Sequence, residues 1–273
     1  MRTRWMLAAT MVAGVWLAGS PAVAQQSDAD WLAQCREQQS GQQFRHCEVR
    51  PVSSPGGGPV HVNARPNGGV QVTGWDQAGI AGSARIQVQA DSEADARAIA
   101  SQISVDTGSG AIRSTGPEPG SGRSWSASFV LSAPRTSDVE IETLNGPVAI
   151  TGISGQIRAT TTNGPLTLKE LGGHVYARAT NGPLSIVLAG TSWQGEGLDA
   201  ETTNGPVSLS VPEGYSAELE ARTSNGPFRV DIPGTVQGDT PSSRVRSIKT
   251  SIGGGGAPIR VVTTNGPMSI KQR

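Results

Sequence analysis

Across residues 138–232, and again near the C-terminus, apolar or small side chains occupy every second position, with polar or charged ones between them. Val139, Ile141 and Thr143 lead to Asn145; Ile157, Ala159 and Thr161 lead to Asn163; Leu198, Ala200 and Thr202 lead to Asn204. Beyond each asparagine the alternation resumes, with Val148 and Ile150, Leu166 and Leu168, Val207 and Leu209. A period of two is that of a strand with one face buried. The break between the two runs is always Asn-Gly-Pro, at Asn145, Asn163, Asn181, Asn204, Asn225 and Asn265. Successive asparagines are 18, 18, 23, 21 and 40 residues apart. Such spacing marks a repeat architecture, and each unit reads as strand, corner, strand and return loop.

Asn-Gly between alternating strands ordinarily signals a two-residue hairpin. That hairpin needs an N–H from the residue after glycine, and proline has none. The sequence therefore predicts an open corner. Asn and Gly accept left-handed backbone angles, proline starts the next strand where no ladder donor is required, and the chain winds onward. Coils of this kind stack in parallel as an all-β solenoid, or β-helix. The outward residues fit a stack in chain order. Glu140 would lie beside Arg158, and Arg178 beside Glu201, itself beside Arg222. Opposite charges on adjacent strands contribute about 0.2–1 kcal/mol per pair. Asp199 beside Glu220 breaks the pattern in that order.

The chain ahead of the coils is different. Arg2 and Arg4 precede an apolar run from Trp5 to Ala18, and Ala22-Val23-Ala24 completes a secretory signal cleaved between Ala24 and Gln25. The run is short for a membrane span of about 20 residues, and no cysteine follows Ala24 to carry a lipid, so no stable membrane anchor is expected. Residues 25–50 hold both cysteines of the chain, Cys35 and Cys47. In an exported protein such a pair reads as a disulfide, here fastening a cap, with a short helix started by Asp28 or Asp30, over the open edge of the first coil. Residues 51–59 read as a linker, and residues 60–273 as the solenoid. Val60, Val62, Asn67-Gly68-Gly69, Val70 and Val72 make a degenerate coil, and a helix is expected from Asp91 to Ile103 with Ala94, Ala98 and Ile99 on its buried face. Long return loops occur at residues 189–197 and 233–243; residues 244–249 read as an irregular coil that accounts for the double step before Asn265.

Formal charge is zero, which gives no reason to invoke nucleic acid or an anionic membrane. The three histidines, His46, His61 and His174, stand in no familiar catalytic spacing, and no metal or cofactor motif is present, so no cofactor or metal is expected. Solenoids can carry polysaccharide-cleaving sites built from carboxylates on neighbouring coils. Glu140 with Glu142, and Asp199 with Glu201, qualify by spacing, but their alternation with arginine is better explained by ion pairing. Thr162, Thr180, Thr203, Ser224 and Thr264 precede the asparagines as an outward row, explained by strand preference. Trp193, in a long loop, is the candidate contact residue, the competing reading being that it tucks over a coil.

The Thr-Asn-Gly-Pro coils, Cys47-Glu48-Val49-Arg50, Trp193-Gln194-Gly195-Glu196-Gly197-Leu198-Asp199 and Val211-Pro212-Glu213-Gly214-Tyr215-Ser216-Ala217 together resemble the bacterial putative-adhesin family, a domain of unknown function, over residues 35–272. The resemblance implies an exported, right-handed β-solenoid with an adhesive role and brings no catalytic residues. The expected function is thus a non-catalytic exported solenoid of the periplasm, outer envelope or medium that binds a surface glycan or protein, or serves the envelope structurally. A polysaccharide-active lyase or hydrolase is the alternative.

Overall fold

The structure, a computed structural model, describes residues 26–37, 43–55, 58–108, 111–233 and 246–273. The signal sequence with Ala24 and Gln25, and most of the second long loop, lie outside them. In chain order the elements are α1 (Asp28–Glu37), β1 (Phe44–Ser54), β2 (Val60–Asn63), β3 (Val70–Trp75), β4 (Ile80–Ala90), α2 (Glu93–Gln102), β5 (Ser104–Asp106), β6 (Ala111–Thr115) and β7 (Ser124–Pro134). The repeats follow: β8 (Val139–Asn145), β9 (Val148–Thr151), β10 (Ser154–Asn163), β11 (Leu166–Lys169), β12 (Gly172–Asn181), β13 (Leu184–Val187), β14 (Gly197–Asn204), β15 (Val207–Val211), β16 (Ala217–Asn225), β17 (Phe228–Asp231), β18 (Ser247–Ile252), β19 (Pro258–Asn265) and β20 (Met268–Gln272).

These strands form two ten-stranded sheets. Sheet A runs β1-β4-β7-β3-β9-β11-β13-β15-β20-β17, and sheet B runs β18-β16-β19-β14-β12-β10-β8-β2-β6-β5. Each repeat gives its first strand to sheet B and its second to sheet A. Neighbouring repeats pair in parallel and in register, Asn145 opposite Asn163, Asn163 opposite Asn181, and Leu166 opposite Val148 and Leu184. The expected stack of parallel coils is therefore present. The inward positions of both sheets, such as Ile157, Ala159, Leu166 and Leu168, are at most 2% exposed and form one continuous core. The weak coil of β2 and β3 belongs to the stack, pairing with β8 and β9.

The corner works differently from the expectation. Among the described residues only Glu170 combines a side chain with positive φ, so no repeat asparagine is left-handed. Glycine is required by crowding instead. A Cβ on Gly164, Gly182, Gly205 or Gly266 would sit 2.0–2.2 Å from the carbonyl oxygen of the preceding coil's glycine. Each glycine amide donates along the stack, Gly146 to the Asn163 carbonyl and Gly164 to the Asn181 carbonyl. The asparagine side chains form a parallel ladder from Asn67 through Asn145, Asn163, Asn181, Asn204 and Asn265 to Asn225, with each Nδ2 donating to the Oδ1 of the asparagine before it in that order, over 2.8–2.9 Å. Just inside, the Thr143, Thr161, Thr202, Thr263 and Thr223 hydroxyls donate to the carbonyls of Gly68, Gly146, Gly182, Gly205 and Gly266. The coil ending at Asn181 has Ala179 at this position and lacks the hydroxyl.

Chain order is not stacking order. The last repeat, β19 and β20, is inserted between the Asn204 and Asn225 coils. Residues 247–249, read as part of an irregular coil, instead belong to the edge strand β18, antiparallel to β16. Glu201 therefore lies beside Val262 rather than Arg222. Arg260 separates Asp199 from Glu220, which removes the like-charge contact that chain order would create.

The N-terminal end is mixed: β7 pairs with β3 and β6 with β2 in parallel, and the pairs beyond them are antiparallel. Strands β7, β4 and β1 extend sheet A beyond β3. Residues 51–54, assigned to a linker, are part of β1. The first coil is flanked by β6 and β7, so the Cys35–Cys47 segment does not cover it directly; the disulfide ties α1 to β1 at the outer edge of sheet A. Ser27, rather than an aspartate, caps α1, its Oγ accepting from the Asp30 amide. Helix α2 buries Ala96, Ile99 and Ala100 against a second cluster with Ile86, Val88 and Trp125, while Ala94 and Ala98 face out. The buried face keeps Ile99 but is turned toward Ala96 and Ala100, the side that packs on sheet A through Ile86, Val88 and Trp125.

Candidate functional site

The outward face of sheet B gathers most of the chemistry. Residues five places before each Asn-Gly-Pro asparagine stand side by side across the stack, Glu140, Arg158, Tyr176, Asp199, Arg260 and Glu220, and His61 of the first coil stands beside Glu140. The antiparallel register adds Lys249 beyond Glu220. Strand alternation puts their neighbours inward, so this row is a consequence of the repeat period.

Asp199 is the centre of the row. Its carboxylate accepts from Arg178 at 3.1 Å and from Arg260 at 2.7 Å. Glu201 lies 3.6 Å from Arg178 and 3.9 Å from Arg260, and Glu220 lies 3.9 Å from Arg260. Partial burial pushes the Asp199 carboxyl up, but the hydrogen bonds from Arg178 and Arg260 outweigh it and hold the group below the usual aspartate range. The Arg178 guanidinium, for which burial works the other way, is held more firmly charged by Asp199.

Glu140 and Arg158 are neighbours in register, yet the ion pair expected between them is replaced by two other contacts. Glu140 meets His61 Nδ1 at 2.9 Å. Arg158 lies over the Tyr176 ring at 4.7 Å, and Arg178 approaches the same ring at 3.9 Å. An aromatic face attracts a guanidinium through the ring quadrupole, and Tyr176 stands directly beside Arg158 on the next strand. Between His61, Glu140, Arg158, His174 and Tyr176 the surface forms a groove of about 270 Å3. The period of two places Tyr176 outward beside Arg158, but nothing in the repeat pattern says that its ring holds that guanidinium.

Other sequence candidates fall elsewhere. Trp193 is 7% exposed, donates its indole N–H to the Gly173 carbonyl at 2.9 Å and packs in the main core. It is a lid on the coil and not a contact residue, because the long loop folds inward over Gly173. Thr162, Thr180, Thr203, Thr264 and Ser224 do face outward beside the asparagine ladder. His46 meets Glu48 at 3.3 Å near the disulfide, and His174 meets Glu196 at 3.4 Å. Among the described residues no three His, Cys, Asp or Glu side chains gather as metal ligands. No described helix is long and apolar enough to cross a membrane.

The chain is similar in structure to a putative cell adhesion protein from Clostridium sporogenes ATCC 15579, at 12% identity and TM-score 0.40, with 84% of this chain and 100% of that chain covered. A putative adhesin from Bacteroides fragilis NCTC 9343 matches at 10% identity and TM-score 0.31, covering 83% and 97%. One from Parabacteroides distasonis ATCC 8503 matches at 9% and 0.27, covering 82% and 97%. No curated protein matches. The family model described as Toastrack DUF4097 matches residues 66–271, from just before the first asparagine corner to the last strand. With three quarters of its length inside that match, and with the corners and coils that fill it, the chain belongs to the Toastrack DUF4097 family.

Proposed function

We propose that this protein is an exported, non-catalytic β-solenoid, wound right-handed, that binds a glycan or protein of the cell envelope or a surface. The observation that carries this reading is the Asp199–Glu201 cluster. A carboxylate pair that cleaves glycosidic bonds needs one member held protonated and the other free to act. Here both are engaged by Arg178 and Arg260, and Asp199 is held ionised. What remains is a rigid surface with a patterned face, which suits recognition. Export is supported by the signal-like pattern of residues 1–24 and by the Cys35–Cys47 disulfide, a bond that persists in oxidising compartments. Right-handed winding is supported by the strong preference of parallel crossovers for that hand.

The test is crosslinked capture by the full chain from native envelope, run beside turnover assays on a polysaccharide panel. Saturable envelope binding without turnover is the expected result. Turnover abolished by Glu142→Gln or Glu201→Gln would replace this reading with the enzymatic one.

A further inference from the structure

We infer that a groove running from Trp75 to Tyr176 binds a chain of neutral sugars, hexose or N-acetylhexosamine. This rests on the reading of the protein as a surface binder, and it names the place and the ligand class. Two hollows meet here. One, of about 760 Å3, lies at the ends of β3 and β7 and is bounded by Trp75, Asp76 and Arg135. The other is the 270 Å3 groove on sheet B. Pro59 and Asp138 wall both, so the two hollows adjoin across the N-terminal coils. The larger part alone falls within the range of small-ligand sites, roughly 300–1,000 Å3.

The lining selects the ligand. An aromatic side chain stands at each end, and polar heads of both signs lie between them. Three carboxylates, Asp76, Asp138 and Glu140, face two guanidiniums, Arg135 and Arg158. With three carboxylates to two guanidiniums, that balance offers a polyanion no net attraction. Hydroxyl groups both donate and accept, so they suit carboxylates and guanidiniums alike. Arg158, unlike Arg178 and Arg260, makes no ion pair among the described residues; it is held over Tyr176 with its donors left for a ligand. A peptide is disfavoured by the backbone. Strands β2, β8, β10 and β12 are paired on both sides, so this part of sheet B has no open edge to take an added strand.

The experiment is calorimetric titration of the full chain with cellohexaose, chitohexaose and hexagalacturonate. Binding of a neutral hexasaccharide is expected, weakened about tenfold or more by Arg158→Gln, equivalent to roughly 1.4 kcal/mol. Trp75→Ala should weaken it too, and Lys169→Ala, on the outward face of sheet A, should leave it unchanged. Arg158 is exposed, so its replacement tests the groove even if Trp75→Ala fails to fold. Preference for hexagalacturonate, or neutral binding indifferent to Arg158→Gln, would overturn the assignment. No sugar binding by a chain that still binds native envelope overturns the glycan groove alone; loss of envelope binding as well removes the parent reading with it.

Discussion

The two outward faces of the same coils could hardly differ more. On sheet B the row beside the asparagines reads Glu140, Arg158, Tyr176, Asp199, Arg260 and Glu220 in stacking order. On sheet A the matching row reads Ala149, Thr167, Ser185, Ser208, Ser269 and Arg229. Both rows have the same backbone ladder behind them and apolar side chains beneath. A short hydroxyl tolerates almost any neighbour, as in the 3.4 Å contact of Ser208 with Ser185. A long charged side chain does not: its sign must oppose that of the next coil, or the contact costs energy. Sheet B therefore encodes which coil stands next to which, and sheet A does not. The insertion of the last repeat follows the code, since Arg260 between Asp199 and Glu220 replaces a repulsion with ion pairs on both sides.

Breaking what the two faces share should have the largest effect. Gly182→Ala puts a Cβ 2.0 Å from the Gly164 carbonyl oxygen at the corner that joins the sheets. Backbone there cannot move without losing ladder bonds, so we expect a loss of about 4 kcal/mol or more, read by urea unfolding. Next comes the hydroxyl ladder on the sheet B side of the corner. Thr202→Val leaves the Gly182 carbonyl without its side-chain donor and should cost about 1–2 kcal/mol in the same assay. Its mirror image, Ala179→Thr, supplies the missing rung and should add about 0.5–1 kcal/mol.

Asp199→Asn tests the charge code itself. The pair network is half-exposed, so a cost of about 1 kcal/mol is expected at neutral pH. Asp199 has a lowered carboxyl pKa in the folded state. Its contribution is therefore complete above the ordinary aspartate pKa, about 4, and is lost as pH falls through the lowered value. Thermal melts at pH 7 and pH 3 should show the variant losing less stability on acidification than the parent; an equal loss would remove Asp199 from the network. The smallest effect belongs to sheet A: Ser185→Ala should change stability by less than about 0.5 kcal/mol. A larger change would show that this face also specifies neighbours.

By itself the sequence determined the coil. Period-two alternation, a proline that cannot close a hairpin and a constant Asn-Gly-Pro corner together imply parallel strands in register, because these are local constraints that every repeat states again. The disulfide was equally legible, there being two cysteines in the chain. Tertiary structure alone decided the rest. It placed the Asn265 coil inside the stack, since the backbone ladder is alike in every repeat, and the outward charges favour this order through the Arg260 pairs with Asp199 and Glu220. It made glycine necessary at Gly164, Gly182, Gly205 and Gly266 through the approach of neighbouring backbones rather than through φ. It turned Trp193 inward, because a loop's direction depends on the surface it covers. It also brought Trp75, Asp138 and Tyr176, far apart along the chain, to the walls of two adjoining hollows, since distance along a wound chain says little about distance across its coils.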